Sequence, residues 1–381
     1  MSDLLVDGLP YPVIVSARAS DAVIASMQPS SAIAIVYDAR AVRSARALIA
    51  RAREARTHVL GALALHGGER VKNARVVQSL WRWLLSRRAD RESVLVAIGG
   101  GTVTDTAGFA AATFMRGIAW IAVPTTLLGM VDAAIGGKTA IDLPEGKNVA
   151  GAFWAPRAVV ADVAALATLP RPELENGMAE IIKAAVIGDP GLLEKADAVC
   201  SAGLLSRARP CSPALLSAGV AATYEGAWAQ VVAAAARVKA GIVARDPLES
   251  GERESLNLGH TLGHAIEHAS RGRLAHGRAV AIGLRGEGLL AIALGLFSRE
   301  EHARVLACLR RAGLPLHAPR LDVPAAVRAL RADKKRRGTT LRFTLPAGIG
   351  EVRTGIAVEA ATARRALAQC AAQPSAEELE V

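Results

Sequence analysis

The stretch SVLVAIGGGTVTD, residues 93–105, decides the reading of the fold. Ser93–Ile98 reads as a strand buried on both faces, because Val94 to Ile98 run apolar and mostly β-branched without a break. Gly99, Gly100 and Gly101 follow, and Thr102, Val103, Thr104 and Asp105 open a helix. Glycines at that junction let backbone N–H groups approach a pyrophosphate, and the helix N-terminus adds positive potential. The run is not GxGxxG, so alone it is a weak signal, and Asp105 alone reads as an acid at a helix start.

Working outward, Ala32–Asp38, His58–Leu65, Ile118–Val123 and Ala158–Asp162 read as further buried strands, with helical periodicity over Arg40–Arg56, Val76–Arg88 and Thr104–Met115. This β-α-β alternation predicts an α/β fold with a mostly parallel sheet. Gly67-Gly68-Glu69-Arg70-Val71-Lys72 follows one strand and Pro124-Thr125-Thr126 ends another, so three loops would leave the carboxyl edge together, where ligands bind. After Leu169-Pro170-Arg171-Pro172 the sequence turns Ala/Leu/Glu-rich and helical. The predicted organisation is therefore a Rossmann-like nucleotide-binding domain over residues 1–165 and a mainly α-helical metal- and substrate-binding domain over 166–381. LRFTL, residues 341–345, reads as a strand returning to a sheet, and Ser375–Val381 as a frayed tail.

Composition narrows the class. No apolar run approaches the roughly 18 to 20 residues of a membrane span, since Ala221–Ala236 is broken by Glu225 and Gln230; a soluble protein is expected. Cys200, Cys211, Cys308 and Cys370 show neither CxxC spacing nor a disulfide framework, and the first residues lack a signal-peptide pattern, so a reducing cytoplasm is expected. A formal charge of +11 suits a nucleic-acid partner only if clustered, whereas the arginines are scattered and aromatics make up 3%. No nucleic-acid partner and no membrane partner is expected.

Lysine usage is more telling. The chain has eight lysines among 46 basic residues, and 46 minus 8 leaves 38 arginines. The surviving lysines are candidates for sites needing a compact ammonium on a phosphate or carboxylate. Two of them sit in glycine turns, Gly136-Gly137-Lys138-Thr139 and Gly146-Lys147-Asn148, where the main chain can wrap an anion that the ammonium neutralises. His260, His264 and His268 recur at i, i+4 and i+8, and His276 follows a glycine-rich turn. HTLGH lacks the glutamate of HExxH, which leaves a three-ligand catalytic site with one carboxylate and an open position. Glu180 stands as an acid inside an apolar helical run, where an unpaired charge is costly and a metal would relieve it. Spacing alone leaves His264 and His276 both open as the third ligand.

Taken in order, Gly99–Asp105, Ala107-Gly108, Arg116-Gly117, Pro124–Leu128, Val131-Asp132, Gly136–Ala140, Gly146–Asn148, Thr168-Leu169-Pro170, Ala179–Lys183, Glu249–Arg253, Leu256–Thr261, Gly263–Glu267, His276-Gly277 and Asp333-Lys334-Lys335 resemble the 3-dehydroquinate synthase family. The resemblance covers roughly residues 10 to 350 and is highly specific. It implies a divalent metal, zinc or cobalt, on Glu180, His260 and His276. It implies NAD against Asp38, Glu69, Lys72, Gly99, Gly100, Gly101, Thr102, Val103, Thr104, Asp105, Thr125, Thr126, Lys138, Lys147 and the turn Ala165, Leu166, Ala167 and Thr168. A sugar phosphate substrate would be held by Arg116, supplied by the partner of a homodimer, with Asp132, Lys138, Asn148, Lys183, Lys239, Arg253, Asn257, His264 and either Lys334 or Lys335.

The chemistry the resemblance implies is cyclisation of 3-deoxy-D-arabino-heptulosonate 7-phosphate: transient oxidation by NAD, β-elimination of phosphate, reduction, ring opening and an intramolecular aldol closure. Trp154 and Pro247-Leu248 depart from the family by replacing more polar residues. The alternatives are a cyclase making 2-deoxy-scyllo-inosose or a valiolone, and a metal-dependent polyol dehydrogenase, which has no need for so dense a set of anion-binding cations.

Overall fold

Val94–Gly99 and Ala158–Asp162 are buried along their whole length, which requires a sheet covered on both faces. The structure, a computed structural model, describes residues 3–28, 31–66, 68–205, 218–332 and 340–379. The chain divides into two compact units, Met1–Pro170 with Ala208–Ala244, and Arg171–Arg207 with Arg245–Val381. A single boundary near residue 165 does not anticipate the returning segment, because nothing in its Ala-rich composition distinguishes it from its helical neighbours.

In the first unit β1 (Leu4–Val6) and β2 (Val13–Ser16) are followed by α1 (Ala19–Ala25), β3 (Ile33–Asp38), α2 (Val42–Glu54), β4 (Val59–Leu65) and α3 (Ala74–Ser86). Next come β5 (Val94–Gly99), α4 (Gly101–Thr113), β6 (Ala119–Pro124), the hairpin β7 (Lys138–Leu143) and β8 (Gly146–Phe153), and β9 (Ala158–Asp162). Seven strands form one sheet in the order β1-β2-β9-β6-β5-β3-β4, parallel throughout except for the β1/β2 edge. The five strands expected from sequence are all in it. The winding direction reverses between β3 and β5, which opens a crevice at the carboxyl ends of those two strands. Helix α4 is buried on nearly all sides: Gly108 packs so tightly that a Cβ there would lie 2.5 Å from Thr139 Cγ2 of the hairpin.

Two helices of the second unit, α5 (Arg171–Gly188) and α6 (Pro190–Ser201), precede α7 (Ala218–Arg245), most of which belongs to the first unit. Contrary to the sequence expectation, Tyr224–Arg245 of α7 is long and apolar enough to cross a bilayer, with a hydropathy of 1.2. In the structure 67% of its most apolar 18-residue window is buried inside the protein, the pattern of a core helix.

The second unit continues with α8 (His260–Ser270), α9 (His276–Ala293), α10 (Arg299–Arg311), α11 (Val323–Ala332), β10 (Thr340–Gly348), β11 (Glu351–Glu359), α12 (Ala360–Ala371) and α13 (Ala376–Leu379). The strand expected at 341–345 is present within β10, but it pairs antiparallel with β11 in a separate two-stranded sheet instead of returning to the main one. Cys200, Cys308 and Cys370 are free thiols, and Cys211 lies outside the described residues.

The expected frayed tail is also corrected. Ser375 and Glu378 exchange hydrogen bonds at the start of α13, and Glu378 takes a two-pronged ion pair from the buried Arg285 at 2.7 and 3.0 Å. Arg285 Nη1 also donates to the carbonyls of Leu316, Gln369 and Ala372. Glu378→Ala leaves a buried guanidinium without its counter-ion but with those carbonyls, so a loss of about 1–3 kcal/mol is expected, read as a lower urea midpoint.

Candidate active site

The carboxyl ends of β3, β4, β5, β6 and β9 share one edge because those strands are parallel. That edge gathers Asp38, Glu69 and Lys72, the glycine run, Thr125 and Thr126, and the Ala165–Thr168 turn. Close packing dictates the glycines: a Cβ on Gly99 would stand 2.9 Å from Val103 Cβ and 3.2 Å from Asp38 Cβ, and one on Gly100 would lie 3.0 Å from Thr126 Cγ2. Asp38 is thereby drawn to the glycine loop at the reversal point. Its carboxylate is engaged by Arg40 at 2.8 and 3.0 Å. Burial pushes Asp38 up, but Arg40 outweighs that and holds it below the usual range.

Two lysines of this unit are buried against acids. Lys72 Nζ lies 2.5 Å from Asp105 Oδ2, and the Lys72 carbonyl accepts from Asp142 N of the hairpin at 2.9 Å. Burial raises Asp105 to about 6 against the opposing charges of Lys72 and Lys239. Lys239 of α7 lies 2.5 Å from Asp132 Oδ1 and donates to the Asp132 carbonyl at 2.7 Å. Asp132 is presented by a single π-helical turn, Gly129–Ala133, an element common where function needs a side chain re-aimed.

Lys138, Lys147 and Asn148 are exposed on the hairpin, with Asn148 at a left-handed φ of 56° and its N–H donated to Asp142 Oδ1. Arg116 is not brought to the glycine loop. It lies beyond the C-terminal end of α4, roughly 18 Å of helix from Gly101, in a turn where Met115 and Arg116 have φ of 48° and 67°. Trp154 seals that turn: its ring would meet a Gly117 Cβ at 2.5 Å, and its indole N–H donates to Ile118 O at 3.0 Å.

In the second unit Glu180 is carried by α5, whose residues Leu174–Ile187 are all buried. His260 and His276 are the first residues of α8 and α9. Gly277 sets α9 against α5, since its N–H donates to Asn176 Oδ1 at 3.2 Å and a Cβ would lie 2.5 Å from Asn176 Cα. The result is one carboxylate oxygen and two imidazole nitrogens all within 4.8 Å of one another, with Glu180 Oε1 3.6 Å from His260 Nε2 and 3.4 Å from His276 Nε2.

Both Glu180 oxygens are buried without a well-directed hydrogen-bond donor among the described residues, although Lys183 Nζ approaches to 2.5 Å. A buried carboxylate so placed, beside two imidazoles, suits a divalent ion with an open coordination position. Burial pushes Glu180 up, yet Lys183 and the imidazoles outweigh it and hold the carboxyl well below its ordinary value. Burial, reinforced by Lys183, pushes His260 down to about 3 and so keeps it neutral; its Nδ1 lies 3.0 Å from Leu258 O, leaving the Nε2 lone pair toward Glu180. His276 is the opposite case. Burial lowers it, but the facing Glu180 carboxylate and the hydrogen bond to Glu267 raise it to about 10.

His264 is exposed beside this group, its ring 5.1 Å from that of His260 and 6.0 Å from that of His276. Lys183 also donates to Leu256 O at 2.9 Å, and Asn257 ends the short turn Glu252–Asn257. Arg253 is buried in a loop wound around Asp246, which accepts from the N–H groups of Ser250, Gly251 and Arg253. The departure at Pro247 is accommodated because its carbonyl accepts from Arg253 Nη1 at 3.0 Å. Lys334 and Lys335 lie outside the described residues. Glu267, bonded to His276 Nδ1 at 3.0 Å, had no role assigned from sequence, although it falls seven residues after His260 on the same helical face.

Because His276 holds its proton up to about pH 10 in the metal-free protein, a metal at this nitrogen must displace it. Metal binding near pH 7 is expected to release about one proton and to weaken about tenfold per unit as pH falls. An indicator-dye titration with Co2+ in weak buffer checks this, and the absence of released protons would contradict it.

Comparison with known proteins bears on this geometry. Family models described as 3-dehydroquinate synthase N-terminal and 3-dehydroquinate synthase C-terminal match residues 62–176 and 177–336. The chain is 44% identical over 296 residues to the 3-dehydroquinate synthase of a Synechococcus strain, covering 77% of this chain and 76% of that one. Among solved structures, the 2-epi-5-epi-valiolone synthase of Streptomyces hygroscopicus with NAD+ and Zn2+ bound superposes with a TM-score of 0.82 at 28% identity, covering 97% and 99% of the two chains. A 2-deoxy-scyllo-inosose synthase complexed with carbaglucose-6-phosphate, NAD+ and Co2+ shares the fold, with a TM-score of 0.78 at 23% identity over 97% and 100% of the chains. With both domain models matched in succession and the identity sustained over most of each sequence, this chain belongs to the 3-dehydroquinate synthase family.

Proposed function

We infer that this chain is a phosphate-eliminating carbon–oxygen lyase that converts 3-deoxy-D-arabino-heptulosonate 7-phosphate to 3-dehydroquinate, on the way to chorismate and the aromatic amino acids. The observation that carries the inference is the grouping of Glu180, His260 and His276 in a chain of this family. NAD, when bound, supplies a transient hydride acceptor, and the divalent metal, zinc or cobalt, supplies a Lewis acid that polarises the oxygen being oxidised.

The chain's own residues bind, orient and move protons. Glu180, His260 and His276 hold the metal, with Glu267 and the Leu258 carbonyl fixing the two rings. Gly99–Asp105, Thr125, Thr126 and the Ala165–Thr168 turn present backbone N–H groups and hydroxyls to the dinucleotide, with Asp38 and Glu69 flanking and Lys72, Lys138 and Lys147 adding positive charge. Asp132, Lys138, Asn148, Lys183, Lys239, Arg253, Asn257 and Lys334 hold the anionic ends of the substrate. His264, exposed beside the metal group, is placed to pass protons. Once the substrate is oxidised, the proton next to the carbonyl is acidic, so phosphate departs by β-elimination. The aldol closure then depends on orientation more than on a strong base.

A second reading, a cyclase that makes a valiolone from a sugar phosphate, is favoured by the 0.82 superposition on such an enzyme. Product analysis separates the two. Incubation with the heptulosonate phosphate, catalytic NAD and Zn2+ is expected to release phosphate and form 3-dehydroquinate without net NADH; accumulating NADH would indicate a dehydrogenase instead. Lys138→Ala and His260→Ala are each expected to lower turnover at least roughly 100-fold with the fold retained. Unchanged phosphate release in either variant would remove that residue from its role.

The proposed assembly is a cytoplasmic homodimer in which Arg116 acts in the partner's site. Its support is the distance of Arg116 from the glycine loop and two exposed apolar side chains, Met115 beside it in sequence and Phe153 beside Trp154, which packs on that turn. Coexpression of the inactive Arg116→Ala and His260→Ala chains is then expected to restore about a quarter of wild-type activity through mixed dimers. If Arg116 acts within its own chain, no activity returns.

A further inference from the structure

Helix α8 is preceded by Gly259, which has a φ of 75° and offers no side chain to cap the helix. A helix start leaves its first N–H groups without partners inside the helix. Here they are met from the neighbouring helix. Glu287 of α9, fully buried, accepts from Gly259 N through Oε2 at 2.5 Å and from Leu262 N through Oε1 at 3.0 Å. A carboxyl group so placed also meets the positive end of the helix dipole.

The reach of Glu287 depends on helices that nearly touch. A Cβ on Gly283 would lie 2.0 Å from Gly259 O, one on Gly263 would lie 3.2 Å from Ala279 O, and one on Gly259 would lie 2.9 Å from Leu284 Cγ. His260 stands between the two amides that Glu287 holds, and its own Nδ1 is bonded to Leu258 O. The main chain is therefore pinned on both sides of this histidine. A serine or aspartate at the cap position would satisfy the Leu262 N–H locally. Placing the acceptor on α9 instead ties together the two helices that begin with His260 and His276.

We propose that Glu287 is a positioning residue for the metal site: it clamps the first turn of α8 to α9 and so sets the direction in which His260 presents Nε2. The proposal rests on the reading of Glu180, His260 and His276 as ligands. It concerns a residue outside that set.

The test uses the full chain, stripped of metal by a chelator and titrated with Co2+, with the visible absorption band and the dissociation constant as readouts. Glu287→Gln is expected to bind Co2+ about 10- to 100-fold more weakly and to shift the band, while NAD affinity and the far-UV circular dichroism stay as in wild type; Glu287→Asp is expected to recover part of the loss. An unchanged band and affinity in Glu287→Gln overturns the proposal, and so does a matching loss of NAD affinity and helical signal, which would mark Glu287 as general scaffold. Should the variants fail to fold, wild-type hydrogen exchange decides. The amides of Gly259 and Leu262 are expected to be protected like those of helix interiors, and exchange at loop rates overturns the clamp. Failure of the ligand reading looks different: Glu180→Ala would then bind Co2+ as tightly as wild type, with the amide protection still in place.

Discussion

Burying an ionised carboxylate is among the costlier things a protein interior can do, and the second unit is organised around one such group. Glu180 sits in the middle of a helix buried on every side, and its charge is balanced by the Lys183 ammonium and faced by two imidazoles. The three helices that supply these groups approach one another through glycines, at Gly277 against Asn176 and at Gly283 against Gly259, where any side chain would force them apart. Close helix packing and the electrostatics of one acid are thus a single constraint. The helices must be near enough for the imidazoles to reach, and the imidazoles must be there for the acid to stay buried and charged.

The first unit solves a different problem. A parallel sheet sends every strand's carboxyl end to one edge, and the reversal of winding between β3 and β5 leaves a crevice there. Glycines at positions 99 to 101 let the chain turn into α4 against Asp38, Thr126 and Ala133 without a side chain in the way. Behind that loop Lys72 pairs with Asp105 and Lys239 with Asp132. The bias against lysine gains physical content from these pairs. Three of the lysines, Lys72, Lys183 and Lys239, are buried with a carboxylate oxygen 2.5 Å from the ammonium. A compact point charge fits such a position better than a planar guanidinium.

Much of this was legible beforehand because it depends on short-range pattern. The buried strands announced themselves by unbroken apolar runs, and the strand-to-glycine-to-helix junction by composition. Glu180 stood out as an acid where the surrounding residues are apolar. Where short-range pattern was thin, sequence reading failed. The β1 and β2 strands are three and four residues long, too short for periodicity to register. The tail after Ser375 looked frayed because its anchor, Arg285, is far away in the chain. The apolarity of α7 was underestimated because single polar residues seemed to break it, although a helix can bury most of its surface and still carry them.

The sequence by itself determined the family, the α/β alternation, the glycine loop and a short set of candidate ligands, since each is written in neighbouring residues or in motif order. Spacing left His264 and His276 both open and only the family resemblance favoured His276; the tertiary structure brings His276 into the 4.8 Å group with Glu180 and His260, because that depends on how closely α9 lies against α5. It also decided that Arg116 stands a helix length from the glycine loop, that most of α7 belongs to the first unit, and that Glu287 holds the start of α8. Residues distant in sequence meet only when helices and strands pack, and packing distances are not encoded in any local window.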